Sequence, residues 1–261
     1  MRIPIYQVDN FTSRIFSGNP AAVCRLQRWL PDQTMQAIAA ENNLSETAYY
    51  TREGTQYHLR WFTPTVEVDL CGHATLASAH VIWTIRKESC AARLEFQSRS
   101  GMLTVEREGA LYALDFPALA PAECAVDPGL VAGLGAHPNL VLGARDYLCV
   151  FESEEEVRAL TPNMERLTAL DRFAVIATAP GRDCDFVSRF FAPAQGVAED
   201  PVTGSAHCTL APYWSRRLGK KKLFARQVSR RGGEIWCEDR GERVRIAGHA
   251  VTVLEGEIEV G

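Results

Sequence analysis

The chain has 261 residues, 46% of them apolar, and a formal charge of −4. That is enough apolar surface for one large domain or two compact ones, and the slight acidity argues against a dedicated nucleic-acid or membrane-surface protein. Met1-Arg2-Ile3-Pro4-Ile5-Tyr6-Gln7 has neither an apolar run nor a cleavage site, so no secretory signal is expected, and the uncharged run from Leu70 to Ile85 is too short for a membrane span. The 8 cysteines form no C-x-x-C pair. That argues against a structural zinc site and predicts reduced thiols in a cytoplasmic protein.

Ile3 to Val8 alternates like a half-buried strand, is broken by Phe16-Ser17-Gly18-Asn19-Pro20, and resumes at Ala21-Ala22-Val23-Cys24, a hairpin-like opening. Pro31-Asp32 starts a helix that ends at Asn42-Asn43. Ser45 to Tyr50 returns to a sheet with a carboxylate, Glu46, wedged at its start. Tyr57 to Phe62 is the next strand, Thr63 to Leu70 a loop, and Gly72 onward a helix. Its body, Ala74 to Ile85, is apolar nearly all round, which places it inside. Leu94–Gln97, Met102–Glu106 and Leu111–Phe116 complete a sheet that must curl around that helix. The Pro-rich segment from Pro117 to Gly129 marks a domain boundary. Strands then follow at Tyr147–Phe151, Phe173–Thr178 and Cys184–Phe191, with helices at Glu154–Leu160 and Met164–Ala169. Beyond a second central helix come strands at Phe224–Ser229, Glu234–Cys237, Arg243–Ala247 and Ala250–Glu255.

Two stretches organise this pattern. Arg60-Trp61-Phe62-Thr63-Pro64 leads into Leu70-Cys71-Gly72-His73-Ala74-Thr75. Arg189-Phe190-Phe191-Ala192-Pro193 leads into Glu199-Asp200-Pro201-Val202-Thr203-Gly204-Ser205-Ala206-His207. Prelude and motif keep one offset, so Cys71 falls opposite Asp200, and the repeat predicts two similar halves facing each other across one cleft. A helix N-terminus has unpaired N–H groups and partial positive charge, and a glycine there lets an anion approach. Gly72 and Gly204-Ser205 would thus grip a carboxylate; alternatively, these glycines only permit tight turns. Glu46, flanked by Leu44, Ala48 and Tyr49, would be a general base if desolvation raises its pKa, or else a solvated strand-start residue. Asp200 before Pro201 caps a turn, or else holds or protonates substrate. Cys71 at a helix start should have a lowered pKa, or else is a small packing residue. His73 shuttles a proton or caps the helix. The basic run Arg216-Arg217 to Lys220-Lys221-Lys222 lacks interleaved aromatics and reads as a solvated helix end. No Walker loop, dinucleotide fingerprint, nucleophile elbow or paired metal carboxylates appear, so no metal and no cofactor is called for.

These residues resemble the PhzF-like family of phenazine-biosynthesis-type isomerases, on the diaminopimelate epimerase fold. The resemblance rests on Asp9-Asn10-Phe11 with Gly18-Asn19-Pro20-Ala21, on Ser45-Glu46-Thr47-Ala48, on the first prelude and Cys71-Gly72-His73-Ala74-Thr75, on Glu199 to Ala206, and on Arg226-Gln227 with Arg231. It implies an α/β protein of two pseudo-symmetric domains, each a rolled, barrel-like mixed sheet around a central helix, often forming a homodimer. Residues 1–116 would form the first domain, which a C-terminal strand near 250–261 could complete, and residues 117–261 the second. The resemblance makes Glu46 the proton-transferring base and gives His73 and Asp200 the binding or protonating of substrate. Gly72, Gly204 and Ser205, with Asn19 and Cys71 beside them, would bind a small carboxylate substrate. Related epimerases use two cysteines, one at each helix start. Here the second position is Asp200, which leaves a mixed Cys71/Asp200 amino-acid racemase, or a non-catalytic acid-binding protein, as the alternatives.

Overall fold

The alternation beginning at Ile3 forms the strand Arg2–Asn10, burying Ile3, Tyr6 and Val8. It is part of the first of two units into which the computed structural model, describing residues 1–261, divides: Met1–Asp115 with Ala247–Gly261, and Phe116–Ile246. Arg2–Asn10 pairs antiparallel with Asn19–Arg25 on one side and with the late strand Ala250–Glu259 on the other. From Asn19–Arg25 the order continues parallel to Glu46–Glu53, antiparallel to Gln56–Phe62, parallel to Arg93–Ser98, and antiparallel to Gly101–Glu108 and then Leu111–Pro117.

The helix Gly72–His80 packs on Ala250–Glu259, Arg2–Asn10, Asn19–Arg25 and Glu46–Glu53, and also on Gly101–Glu108 far along the same order. One helix can touch such distant strands only if the sheet rolls around it. Its composition permits this: Ala74, Ala77 and Ala79 have no exposure and let backbones approach closely. The last turn widens over Val81–Ile85, where the Arg86 N–H reaches the Val81 carbonyl at 2.9 Å. The outer helix Asp32–Asn42 stops at Asn43, whose left-handed conformation (φ 48°) caps it.

The second unit pairs its strands in the same alternation. Leu140–Gly143 is antiparallel to Tyr147–Val150, which is parallel to Val175–Pro180; that is antiparallel to Phe186–Ala192, which is parallel to Lys222–Gln227, itself antiparallel to Gly233–Asp239. The helix His207–Leu218 lies on the last two of these, with Trp214 stacked on Phe186 at 5.5 Å. Outer helices at Gly129–Leu134, Glu154–Ala159 and Met164–Thr168 cover a core that includes Leu130, Tyr147, Phe151 and Leu167.

Two local expectations need correction. The second central helix does not begin at Gly204 but at His207, because Gly204, Ser205 and Ala206 each accept an i+3 bond in tight turns at 3.0–3.1 Å. Thr63 to Leu70 is not all loop, since Glu67–Val68 pairs back onto Trp61 and Phe62. The Pro-rich region is followed at once by the helix Gly129–Leu134, whose Leu130 and Leu134 are buried. All eight cysteines are free thiols, the basic run ends a helix with Lys220 and Lys221 paired to Asp185 and Asp239, and no helix is long and apolar enough to cross a membrane.

Candidate active site

The repeated prelude has a structural meaning. Arg60 donates from Nε and a terminal nitrogen to both oxygens of Glu67, each at 2.7 Å, and lies over the Phe62 ring. Arg189 does the same with Glu199 at 2.7 and 3.0 Å, over Phe191. Each fork clamps the hairpin that delivers the following motif, a bidentate geometry lysine does not reproduce. Sequence reasoning noticed these arginines without giving them a role.

In the first unit the hairpin leads to Cys71, whose extended backbone (φ −142°, ψ 110°) makes it the N-cap of Gly72–His80. Thr75 donates from its hydroxyl to the Cys71 carbonyl at 2.6 Å and fixes that turn. Glu46 arrives from another direction, as the first residue of its strand in register with Ala21. Asn42 bonds Thr47 at 3.0 Å, tying the helix end to the strand start. These constraints bring three side chains together. His73 Nε2 lies 3.0 Å from Glu46 Oε2, and Cys71 Sγ lies 3.6 Å from His73 Nδ1 and 4.0 Å from its Nε2. Glu46 Oε2 is shielded from solvent and lacks an aligned hydrogen-bond donor despite that 3.0 Å approach, so its link to His73 is chiefly a charge contact. The cluster is nearly dry, with side-chain exposures of 9% for His73 and 19% for Glu46.

The electrostatics differ from the sequence expectation at two residues. Burial pushes the Glu46 carboxyl up, but the charge of His73 and the contacts from His73 and Cys71 outweigh it, so the net shift is down rather than up. Cys71 moves up, not down: burial raises the thiol first, the Glu46 charge raises it further, and neither His73 nor the helix start compensates. His73 would be lowered by burial, yet the neighbouring sulfur and the Glu46 carboxylate carry it well above the ordinary value. The consistent state near neutrality is carboxylate, imidazolium and neutral thiol. The helix N-terminus reinforces it by favouring the negative Glu46.

Asn19, also in the first unit, is fully buried, and its side-chain oxygen accepts from the Ser45 hydroxyl at 3.4 Å, next to Glu46. The turn before it requires Gly18, at φ +65°, where a Cβ would lie 2.1 Å from the Asn10 carbonyl oxygen.

In the second unit Asp200 accepts from Thr203 Oγ1 at 2.5 Å. Gln227 holds this loop from both sides, donating to the Asp200 carbonyl at 2.7 Å and accepting from the Thr203 N–H at 2.8 Å, while Ser229 donates to the Pro201 carbonyl at 2.7 Å. Gly204 and Ser205 follow on the turn before the helix. Arg145, a residue sequence reasoning passed over, reaches Ser205 Oγ at 3.4 Å while paired with the buried Asp146 at 2.9 Å. Its only sequence signal was an Arg-Asp pair ahead of a strand. His207, buried and pushed down to about 4 by desolvation, bonds the Thr203 carbonyl at 2.8 Å and so stays neutral, the opposite of His73.

An ionised carboxylate against an imidazolium at a helix start can take a proton from carbon and stabilise the charge left behind. Comparison with known proteins gives the family. Residues 8–256 match the PhzC-PhzF family, described as phenazine biosynthesis-like protein. A Pseudomonas aeruginosa protein named as an uncharacterized isomerase is 57% identical over 261 residues, covering 100% of both chains. The crystal structure of a PhzF-family phenazine biosynthesis protein from Enterococcus faecalis matches with a TM-score of 0.97 and 47% identity, covering 100% of both chains. At 10% identity and a TM-score of 0.61, a hydroxyproline epimerase from Agrobacterium vitis, solved with trans-4-hydroxy-L-proline, shares the fold over 98% of this chain and 92% of its own. The chain therefore belongs to the PhzC-PhzF family of phenazine biosynthesis-like proteins, an isomerase family on the epimerase-type fold.

Proposed function

We propose that this protein is a cofactor-independent cytoplasmic isomerase that moves a carbon-bound proton next to a carboxylate on a small acid. Glu46 takes the proton as the C–H bond breaks, the electron pair passes into the conjugated carboxylate, and Glu46 returns the proton at another carbon. His73, as imidazolium, steadies the Glu46 charge and the developing enolate. Asn19, Cys71 and Gly72 are assigned to the substrate's surroundings, Asp200 to its binding or protonation, and Gly204 and Ser205 to its carboxylate. A homodimer is the proposed assembly.

The observation that carries this reading is the pairing of half-buried Glu46 with buried His73, 3.0 Å apart at a helix N-terminus. The raised Cys71 thiol weighs against the thiol racemase, whose base must be a thiolate. The test is loss of deuterium label from a panel of aromatic and aliphatic carboxylates. Glu46→Gln should slow exchange of a substrate that turns over by about 10²–10⁴-fold; undiminished exchange in that variant would remove Glu46 from the mechanism.

A further inference from the structure

Glu46, Cys71 and His73 each present one donor atom, and the three donors lie within 4.8 Å of one another. We infer that this trio is a binding site for a thiophilic divalent ion, zinc above all. The geometry stands apart from any reaction assigned to the same residues.

The donor set selects the ion. A thiolate, an imidazole and a carboxylate suit zinc, whereas magnesium and calcium seek oxygen alone. In a tetrahedral centre with Zn–S about 2.3 Å and Zn–N or Zn–O about 2.0–2.1 Å, the sulfur–nitrogen edge is about 3.6 Å and the nitrogen–oxygen edge about 3.4 Å. The His73 Nε2 separations of 4.0 Å to Cys71 Sγ and 3.0 Å to Glu46 Oε2 flank those values, so a small tilt of the imidazole ring closes the site. Cys71 and His73 are fixed two residues apart at one helix start, and Glu46 Oε2 is shielded with no aligned donor to surrender.

Charge is also matched. Zinc displaces the thiol proton and the imidazolium proton to solvent, and the bound ion plus thiolate plus carboxylate sums to zero in a nearly dry site. With three protein ligands a fourth position stays open for water or an added carboxylate, as in catalytic rather than structural zinc centres.

The test uses the full chain under reducing conditions, with zinc followed by calorimetry and cobalt followed by its thiolate charge-transfer absorption. One ion per chain and a cobalt–thiolate band are expected. Cys71→Ser should abolish the band and, like His73→Gln and the near-isosteric Glu46→Gln, weaken zinc by at least about tenfold, with folding checked by circular dichroism. Cys90→Ser, at the exposed cysteine, should change nothing. A band that survives Cys71→Ser, or vanishes with Cys90→Ser, or no uptake of either ion, overturns the inference. Zinc bound by a protein whose exchange ignores Glu46 would overturn the reaction alone; exchange dependent on Glu46 without zinc uptake would overturn the zinc site alone.

Discussion

At Glu46 and His73 the two pKa shifts run in opposite directions, and each sets one edge of a pH window. Glu46 is held below its ordinary 4.5, so the stability it contributes is present above about pH 4.5 and is lost as pH falls through the lowered folded value. His73 is held above 6.5, so its contribution is complete below about pH 6.5 and is lost as pH rises through the raised folded value. Wild type should therefore exceed His73→Ala in melting temperature by a constant margin between those limits, with the margin shrinking on the alkaline side. A margin that grows with pH would mean that the imidazole is neutral in the fold. For the proposed reaction, kcat/KM should form a plateau bounded by an acid limb below the usual carboxylate range and an alkaline limb above the usual histidine range. The residue types were legible from the motifs, but the sign of the Cys71 and Glu46 shifts was not. A lone carboxylate in an apolar setting rises and a thiol at an open helix start falls; here an imidazole and full burial reverse both.

The central helix Gly72–His80 shows what an element needs in order to sit inside a rolled sheet. Its alanines are spacers: Ala77 has no exposure, and the helix packs on strands from distant parts of the sheet order. Ala77→Leu should destabilise the fold by about 2 kcal/mol, read from the denaturant midpoint. An unchanged midpoint would reveal slack around the helix that the burial pattern denies. Most elements were legible because their periodicity was strong. Arg2–Asn10, Gln56–Phe62 and Tyr147–Val150 lie within a residue or two of their expected bounds. Leu140–Gly143 and Val197–Asp200, with four residues each, are too short to show a period and were not anticipated. The true start of the second helix was hidden because Gly204-Ser205 has the composition of a helix cap, whereas Gln227, distant in sequence, holds the preceding loop in another shape.

Over the whole molecule, the segment from Ala247 onward belongs with the first unit, pairing along the full length of Arg2–Asn10 and placing Val260 against the N-terminal amine at 2.6 Å. A chain truncated after Ile246 loses that partner and exposes the whole outer edge of Arg2–Asn10. It should aggregate and lose the cooperative unfolding of the full chain, as followed by light scattering and near-ultraviolet circular dichroism; a soluble, cooperatively folding truncation would assign the strand a marginal role. No compositional marker at Ala247 announces this return, because an edge strand alternates in the same way whichever sheet it joins.

The same pairing has a consequence for synthesis on the ribosome. Residues 2–10 emerge from the exit tunnel first, yet one flank of their backbone waits for residues 250–259, which emerge almost last. The strands from Leu140–Gly143 to Gly233–Asp239 in the intervening unit find partners among themselves, and that set can pair while the earlier product is still missing its closing piece. The nascent protein thus carries an open β-edge through nearly all of translation, and chaperones that shield such edges would act on its first-made portion.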